Sequence, residues 1–290
     1  MNIANRKMKN ILIPTDFSEN AWNALKYAQQ LFEPTKCNFY LLHVSAFIDY
    51  PKSSIPLEEE YENVATEEHI VPSKKQLNDL LEKTQKTFSN KNHTYFGVHE
   101  HGFFLESIKK NLEEKKIDLI IMGTKGVTGM RKHIIGSNAG DVITKVKCNT
   151  LIIPKGVAFA IPQEVAFPTD YNIFYSHKIL EAVTEMLGLC NGSLRVMNVS
   201  KIERQLTRAQ EKNKEYLLDY LKETFPKKNS FHTITNKNVN AAIQCFVESR
   251  DVDMIIMVAK NLNFLQQVLF DSLVEKISFH TTVPFFVIHE

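Results

Sequence analysis

Several features that place a chain outside the globular class are scarce in this sequence. No run of 18 apolar residues occurs, so no membrane-spanning helix is expected. Residues Met1 to Asn10 are polar and lack the apolar core of a secretory signal. The four cysteines, Cys37, Cys148, Cys190 and Cys245, form no CxxC pair and no cluster with histidine. Reduced packing cysteines in a cytoplasmic protein are the expectation. Neither sign of charge dominates: 35 Lys and Arg face 33 Asp and Glu, a net charge of +2. That balance argues against nucleic acid or an anionic membrane as a bulk electrostatic partner. No Ser-His-Asp order or carboxylate pair points to hydrolytic chemistry. Neither a P-loop nor GxGxxG is present.

What the chain does have is an internal repeat. Asn10-Ile-Leu-Ile-Pro-Thr-Asp16-Phe17 returns as Glu164-Val-Ala-Phe-Pro-Thr-Asp170-Tyr171, an offset of 154. Ile117-Asp118-Leu-Ile-Ile-Met-Gly123 returns as Val252-Asp253-Met-Ile-Ile-Met-Val258, an offset of 135. The second copy is therefore 19 residues shorter between its first and fourth strands. Loops there tolerate length changes at small entropic cost. The spacing predicts one domain over 1–156 and another over 157–290.

Within the first copy, strands are expected at 9–14, 38–44, 93–98, 117–122 and 150–154. Helices are expected at 18–32, 73–89, 104–115 and 137–147. Pro51, Pro56 and Pro72 break the polar stretch 45–72. Near-continuous apolar strands alternating with amphipathic helices predict a parallel sheet covered on both faces.

The chemistry concentrates after the fourth strand, in Gly123-Thr-Lys-Gly126-Val-Thr-Gly129-Met-Arg131-Lys-His-Ile-Ile-Gly136-Ser137-Asn138-Ala139. Gly123 and Gly126 let backbone approach a ligand closely. Gly136 and Ser137 open a helix, whose free N–H groups and dipole favour a phosphate. Lys125, Arg131, Lys132 and His133 add donors. At the end of strand one, Pro14-Thr15-Asp16 has two readings. Thr15, Asp16 or Ser18 caps the following helix, or Asp16 hydrogen-bonds a base or ribose in the crevice where strand order reverses.

These residues resemble the universal stress protein family. Gly123, Gly126, Gly136 and Ser137 match the Gly-x2-Gly-x9-Gly-(Ser/Thr) pattern of its nucleotide-binding branch. The Pro-Thr-Asp strand and Leu42-His43-Val44 match as well. The resemblance covers the chain as a tandem pair. It implies two doubly wound α/β domains of the adenine-nucleotide alpha-hydrolase-like type, each a five-stranded parallel sheet of order 3-2-1-4-5. It also implies ATP, ADP or AMP in the first copy, with Mg²⁺ as a further candidate. Asp16 and the Val44 backbone would hold adenine or ribose, and Gly123 would lie near the ribose. Gly126, Gly136, Ser137 and Asn138 would hold phosphates. Pro14, Thr15, Met122, Thr124, Arg131 and Ala139 complete the implied binding set. Residues 150–154 and 284–289 would pair antiparallel as an intramolecular pseudo-dimer that covers two sheet edges, and a homodimer is a further expectation.

The second copy departs from this pattern. Gly123, Thr124, Gly126 and Gly136 become Val258, Ala259, Asn261 and Asp271, while Ser272 and Asp170 persist. A carboxylate at a helix start caps that helix and repels a phosphate. The second copy is therefore expected to bind no nucleotide. His43 reads as a strand-end histidine. His99 and His101, flanking Glu100, read as strand polarity rather than metal ligands. The leading expectation is a nucleotide-binding sensor or regulatory module with a protein partner. Its rivals are a slow ATPase or transferase on the same fold and a nucleotide-free scaffold.

Overall fold

The computed structural model describes residues 8–45, 70–124, 137–200, 206–260 and 283–290 of the 290-residue chain. They group into two compact units, Met1–Met122 and Gly123–Glu290.

The first unit contains β1 (Lys9–Pro14), α1 (Glu19–Leu31), β2 (Cys37–Ser45), α2 (Ile70–Thr87), β3 (His93–His101), α3 (Phe104–Glu114) and most of β4 (Leu119–Gly123). β2 pairs parallel with β1 and β3, and β1 pairs parallel with β4. The strand order is thus 3-2-1-4. Ile11, Leu12 and Ile13 of the central strand are at most 1% exposed. A strand buried on both faces has no polar side to alternate with. On α1, Ala21, Ala24, Leu25, Ala28 and Leu31 are buried at helical spacing. α2 lies close over β3 at Gly97, where an added Cβ would stand 2.7 Å from Leu81 Cδ1.

The second unit continues through α4 (Ser137–Lys145), β5 (Thr150–Ile153), β6 (Glu164–Pro168), α5 (His177–Cys190), β7 (Ser193–Ser200) and α6 (Arg208–Thr224). It ends with β8 (Asn229–Thr235), α7 (Val239–Ser249), β9 (Met254–Val258) and β10 (Phe285–Ile288). β8, β7, β6, β9 and β10 pair parallel in that order, which repeats 3-2-1-4-5. β10 also pairs antiparallel with β5, setting Phe285, Phe286 and Val287 against Ile152, Leu151 and Thr150. This pairing joins β5 to the second unit. Just past β4, Thr124 N–H donates to Ile153 O at 3.1 Å, so β5 follows β4 and the first repeat is likewise 3-2-1-4-5. Its counterpart is Ala259 N–H on Ile288 O at 2.9 Å.

The recurring aspartate before each fourth strand has a structural cause. Asp118 Oδ2 accepts from Asn10 N at 2.8 Å, and Asp253 Oδ2 accepts from Glu164 N at 2.9 Å. Each carboxylate ties the start of strand four to the start of strand one. Among the described residues, no helix is long and apolar enough to cross a membrane.

Candidate functional site

In the first unit the chain leaves β1 towards β2 on one side, while β4 lies on the other. The carboxyl end of β1 is therefore a topological switch point, where open α/β sheets bind ligands. β1 ends opposite Leu42, whereas β2 runs on to Ser45, so Val44 overhangs the end of β1.

The Pro-Thr-Asp turn is built from its own side chains. Thr15 N–H donates to Leu42 O at 2.8 Å and prolongs the ladder by one bond. Thr15 Oγ1 accepts from Phe17 N at 3.0 Å, Asp16 Oδ1 from Ser18 N at 3.1 Å, and Ser18 Oγ from Ala21 N at 3.2 Å. Ser18 is the N-cap of α1. Phe17 takes the left-handed conformation, φ 62°, which turns the chain sharply and is uncommon for a bulky residue. Asp16 stays exposed, and its Oδ2 has no hydrogen-bond partner among the described residues.

His43 supports this turn from β2. Its Nδ1 lies 2.9 Å from Thr15 O, and its ring packs at a tilt of 31° against Phe17 with centroids 4.4 Å apart. A carbonyl only accepts, so Nδ1 is the donor in this bond. The β2–β3 register puts His99 beside His43, with ring centroids 5.7 Å apart, and His101 lies 4.5 Å from His99. Burial holds the His99 pKa below its ordinary 6.5; His101, His43 and Lys74 push the same way, against Glu100. No group of three His, Cys, Asp or Glu among the described residues forms a metal site.

In the second unit, Gly123 closes β4 half-buried and Thr124 is buried beside it. Ser137 and Asn138 open α4 exposed to solvent, while Ala139 and Gly140 are buried beneath them. The first turn of α4 holds no acidic residue, so no side-chain carboxylate there offsets its positive end. Gly126, Arg131 and Gly136 lie outside the described residues, as do Asn261, Asp271 and Ser272.

The second repeat rebuilds the turn and then closes it. Thr169 Oγ1 accepts from Tyr171 N at 3.0 Å, and Tyr171 has φ 57°. Asn198 stands where His43 does and donates from Nδ2 to Thr169 O at 2.9 Å. Both Asp170 carboxylate oxygens are engaged by Asn172, through N at 3.0 Å and Nδ2 at 2.8 Å. From α6, Gln210 Nε2 donates to Asp170 O at 2.7 Å and Asn213 Nδ2 to Tyr171 O at 2.9 Å. Four residues, Asn172–Tyr175, are inserted before the helix cap Ser176. The last of them, Tyr175, is fully buried, with its hydroxyl 2.6 Å from Thr169 Oγ1. Val258 and Ala259, in place of Gly123 and Thr124, are buried.

His43 emerges as a supporting residue that sequence reading took only as a strand end. The available signal was that both repeats carry a donor side chain at this position, His43 and Asn198.

The fold defines a tandem, doubly wound α/β protein whose first sheet reverses strand order at the carboxyl end of β1. The model of the universal stress protein family matches residues 7–154 and again 168–289, and the chain belongs to that family. One universal stress protein of Methanocaldococcus jannaschii is 31% identical over 155 residues, covering 51% of this chain and 82% of its own. A second from that organism is 28% identical over 159 residues, covering 51% and 95%. In fold, the chain is similar to a universal stress protein from Archaeoglobus fulgidus, with TM-score 0.68, 18% identity, and coverage of 97% of this chain and 96% of that one.

Proposed function

We propose that the first repeat, residues 1–156, binds ATP or a related adenine nucleotide, and that the chain is a cytoplasmic sensor or regulatory module in stress response. Residues 157–290 form a partner domain without nucleotide. The observation that carries this reading is the contrast between the two aspartates. Asp16 is exposed at the switch point with Oδ2 uncommitted, whereas both oxygens of Asp170 are spent within its own loop.

The residues fit such a ligand. Asp16 and the Val44 backbone suit adenine or ribose. Gly123 lets backbone pass close to a sugar. Ser137 and Asn138, exposed at a helix start free of acidic residues, suit phosphate oxygens with Gly126 and Gly136. Mg²⁺, if bound, would neutralise phosphate charge. Pro14, Thr15, Met122, Thr124, Arg131 and Ala139 complete the set.

Calorimetry with ATP on the full chain tests the proposal. One nucleotide per chain is expected, with loss of binding in Gly136→Asp, the change that copies Asp271. Two nucleotides per chain would remove the asymmetry. No binding, together with no nucleotide in the purified protein, would favour the scaffold reading.

A further inference from the structure

In the first repeat, α1 and α2 leave an open cavity of about 210 Å³ over β1 and β2. Ile13, Leu25 and Leu41 form its apolar floor; Trp22, Phe17 and Thr15 line it towards the turn. The remaining lining includes Glu19, Asp79 and Lys83, whose charges are of mixed sign. Lys83 Nζ sits 4.0 Å above the Trp22 ring. Of the residues assigned to the nucleotide, only Thr15 lines this space.

The second repeat shows what such a space accepts. Tyr175 reaches its hydroxyl to Thr169 Oγ1 and places its ring 6.1 Å from that of Phe167. Thr169 and Phe167 are the repeat equivalents of Thr15 and Ile13, two residues that line the cavity. The second repeat thus sets a phenol from its own inserted loop against the equivalents of Thr15 and Ile13, and the first repeat lacks that insertion between Phe17 and the helix cap Ser18. Thr15 Oγ1 also has the same hydrogen-bonding state as Thr169 Oγ1. Each accepts one backbone N–H, from Phe17 and Tyr171, and each keeps its own proton and a lone pair for a further partner. An apolar cavity of about 150 Å³ takes benzene, so this one has room for a substituted ring.

We propose that the cavity between α1 and α2 of the first repeat binds a small, neutral phenolic compound, its hydroxyl meeting Thr15 as Tyr175 meets Thr169. Trp22 supplies an aromatic wall against which a ring packs in offset or edge-on geometry. The mixed charges at the cavity select neither an anion nor a cation, which is why the ligand is neutral. This inference does not depend on the nucleotide reading.

The test uses the full chain with p-cresol, the isolated tyrosine side chain, and toluene, the same ring without the hydroxyl. The protein has a single tryptophan, Trp22, so its fluorescence reports on this cavity alone. Saturable change in Trp22 emission with p-cresol is expected, with toluene about fivefold weaker, the value of one hydrogen bond. Thr15→Val should weaken p-cresol about fivefold and leave toluene unchanged, and Thr15→Ser should restore p-cresol. Filling the cavity with Ala21→Phe, or with the half-buried Leu80→Phe where the first fails to fold, should weaken both ligands at least tenfold. The proposal is overturned by the absence of a saturable response. It is equally overturned by unchanged affinity in a folded filled variant, or by p-cresol and toluene binding alike with no effect of Thr15→Val.

Discussion

The two Pro-Thr-Asp turns share a scaffold and differ in what closes over it. In both, a threonine hydroxyl takes the N–H of a residue in left-handed conformation, and a side chain from the second strand grips the threonine carbonyl. In the first repeat the turn ends there, with Asp16 exposed and a cavity beside Thr15. In the second, Asn172 occupies the carboxylate, α6 caps two carbonyls, and Tyr175 fills the space. A duplicated turn can thus be closed over without being dismantled: the backbone that presents the aspartate survives, and added side chains consume its hydrogen bonds. Strain at the left-handed residue is common to both turns, so it belongs to the scaffold and not to ligand binding.

The largest effect that would sharpen this comparison is expected for Tyr175→Ala. Removing a buried aromatic side chain costs about 3–5 kcal/mol. Urea unfolding should show that loss, and p-cresol should recover part of it by occupying the vacated space. Phe17→Ala should cost markedly less, since its ring is only half-buried. Equal losses at the two positions would break the contrast.

A smaller difference is expected between the carbonyl-gripping residues. Asn198 is buried and His43 half-buried. Asn198→Ala should cost about 2 kcal/mol and His43→Ala about 1 kcal/mol, because a buried carbonyl left without a donor loses more than one that water can reach. Denaturant midpoints of the two variants measure this.

The smallest effect is a pH dependence. The β7–β8 register sets Thr233 and Thr235 beside Asn198 and Ser200, where the first repeat has His99 and His101 beside His43 and Ser45. The His99 pKa in the fold lies below its ordinary 6.5, with burial the main cause. As pH falls through about 6.5, the unfolded chain takes up that proton first, and stability declines until the folded pKa is reached. Urea midpoints compared at about pH 7.5 and pH 5.5 should separate less in His99→Thr than in the parent. An unchanged separation would mean that the imidazoles do not distinguish the repeats.

Much of the fold was legible in the sequence because it is carried by local pattern. Ile11-Leu12-Ile13 reads as a strand buried on both faces, and the paired Asp118 and Asp253 announce equivalent positions. The helix cap was narrower than its signal: Thr15, Asp16 and Ser18 each bear an oxygen fit to cap, and all three accept backbone N–H groups, but only Ser18 caps α1. Nothing in the composition of Asn172–Tyr175 reveals that Tyr175 turns inward, because burial depends on the space between elements distant in sequence. The meeting of His43 with His99 depends on strand register, which single-strand periodicity does not contain. The loss of nucleotide binding expected of the second copy rests on its substituted glycines, while the engagement of both Asp170 oxygens within its own loop is visible only in its contacts.

The antiparallel seam between β5 and β10 has a consequence for synthesis. β5 is complete when the ribosome reaches residue 153, but the strand that pairs with it appears only after residues 154–284 have been made. Through that interval the nascent chain carries Thr150–Ile153 with its partner missing, a bare edge open to another chain. Premature termination anywhere before Phe285 would leave that edge permanently bare. Protection of that strand therefore waits on the synthesis of β10, although its own repeat is already made.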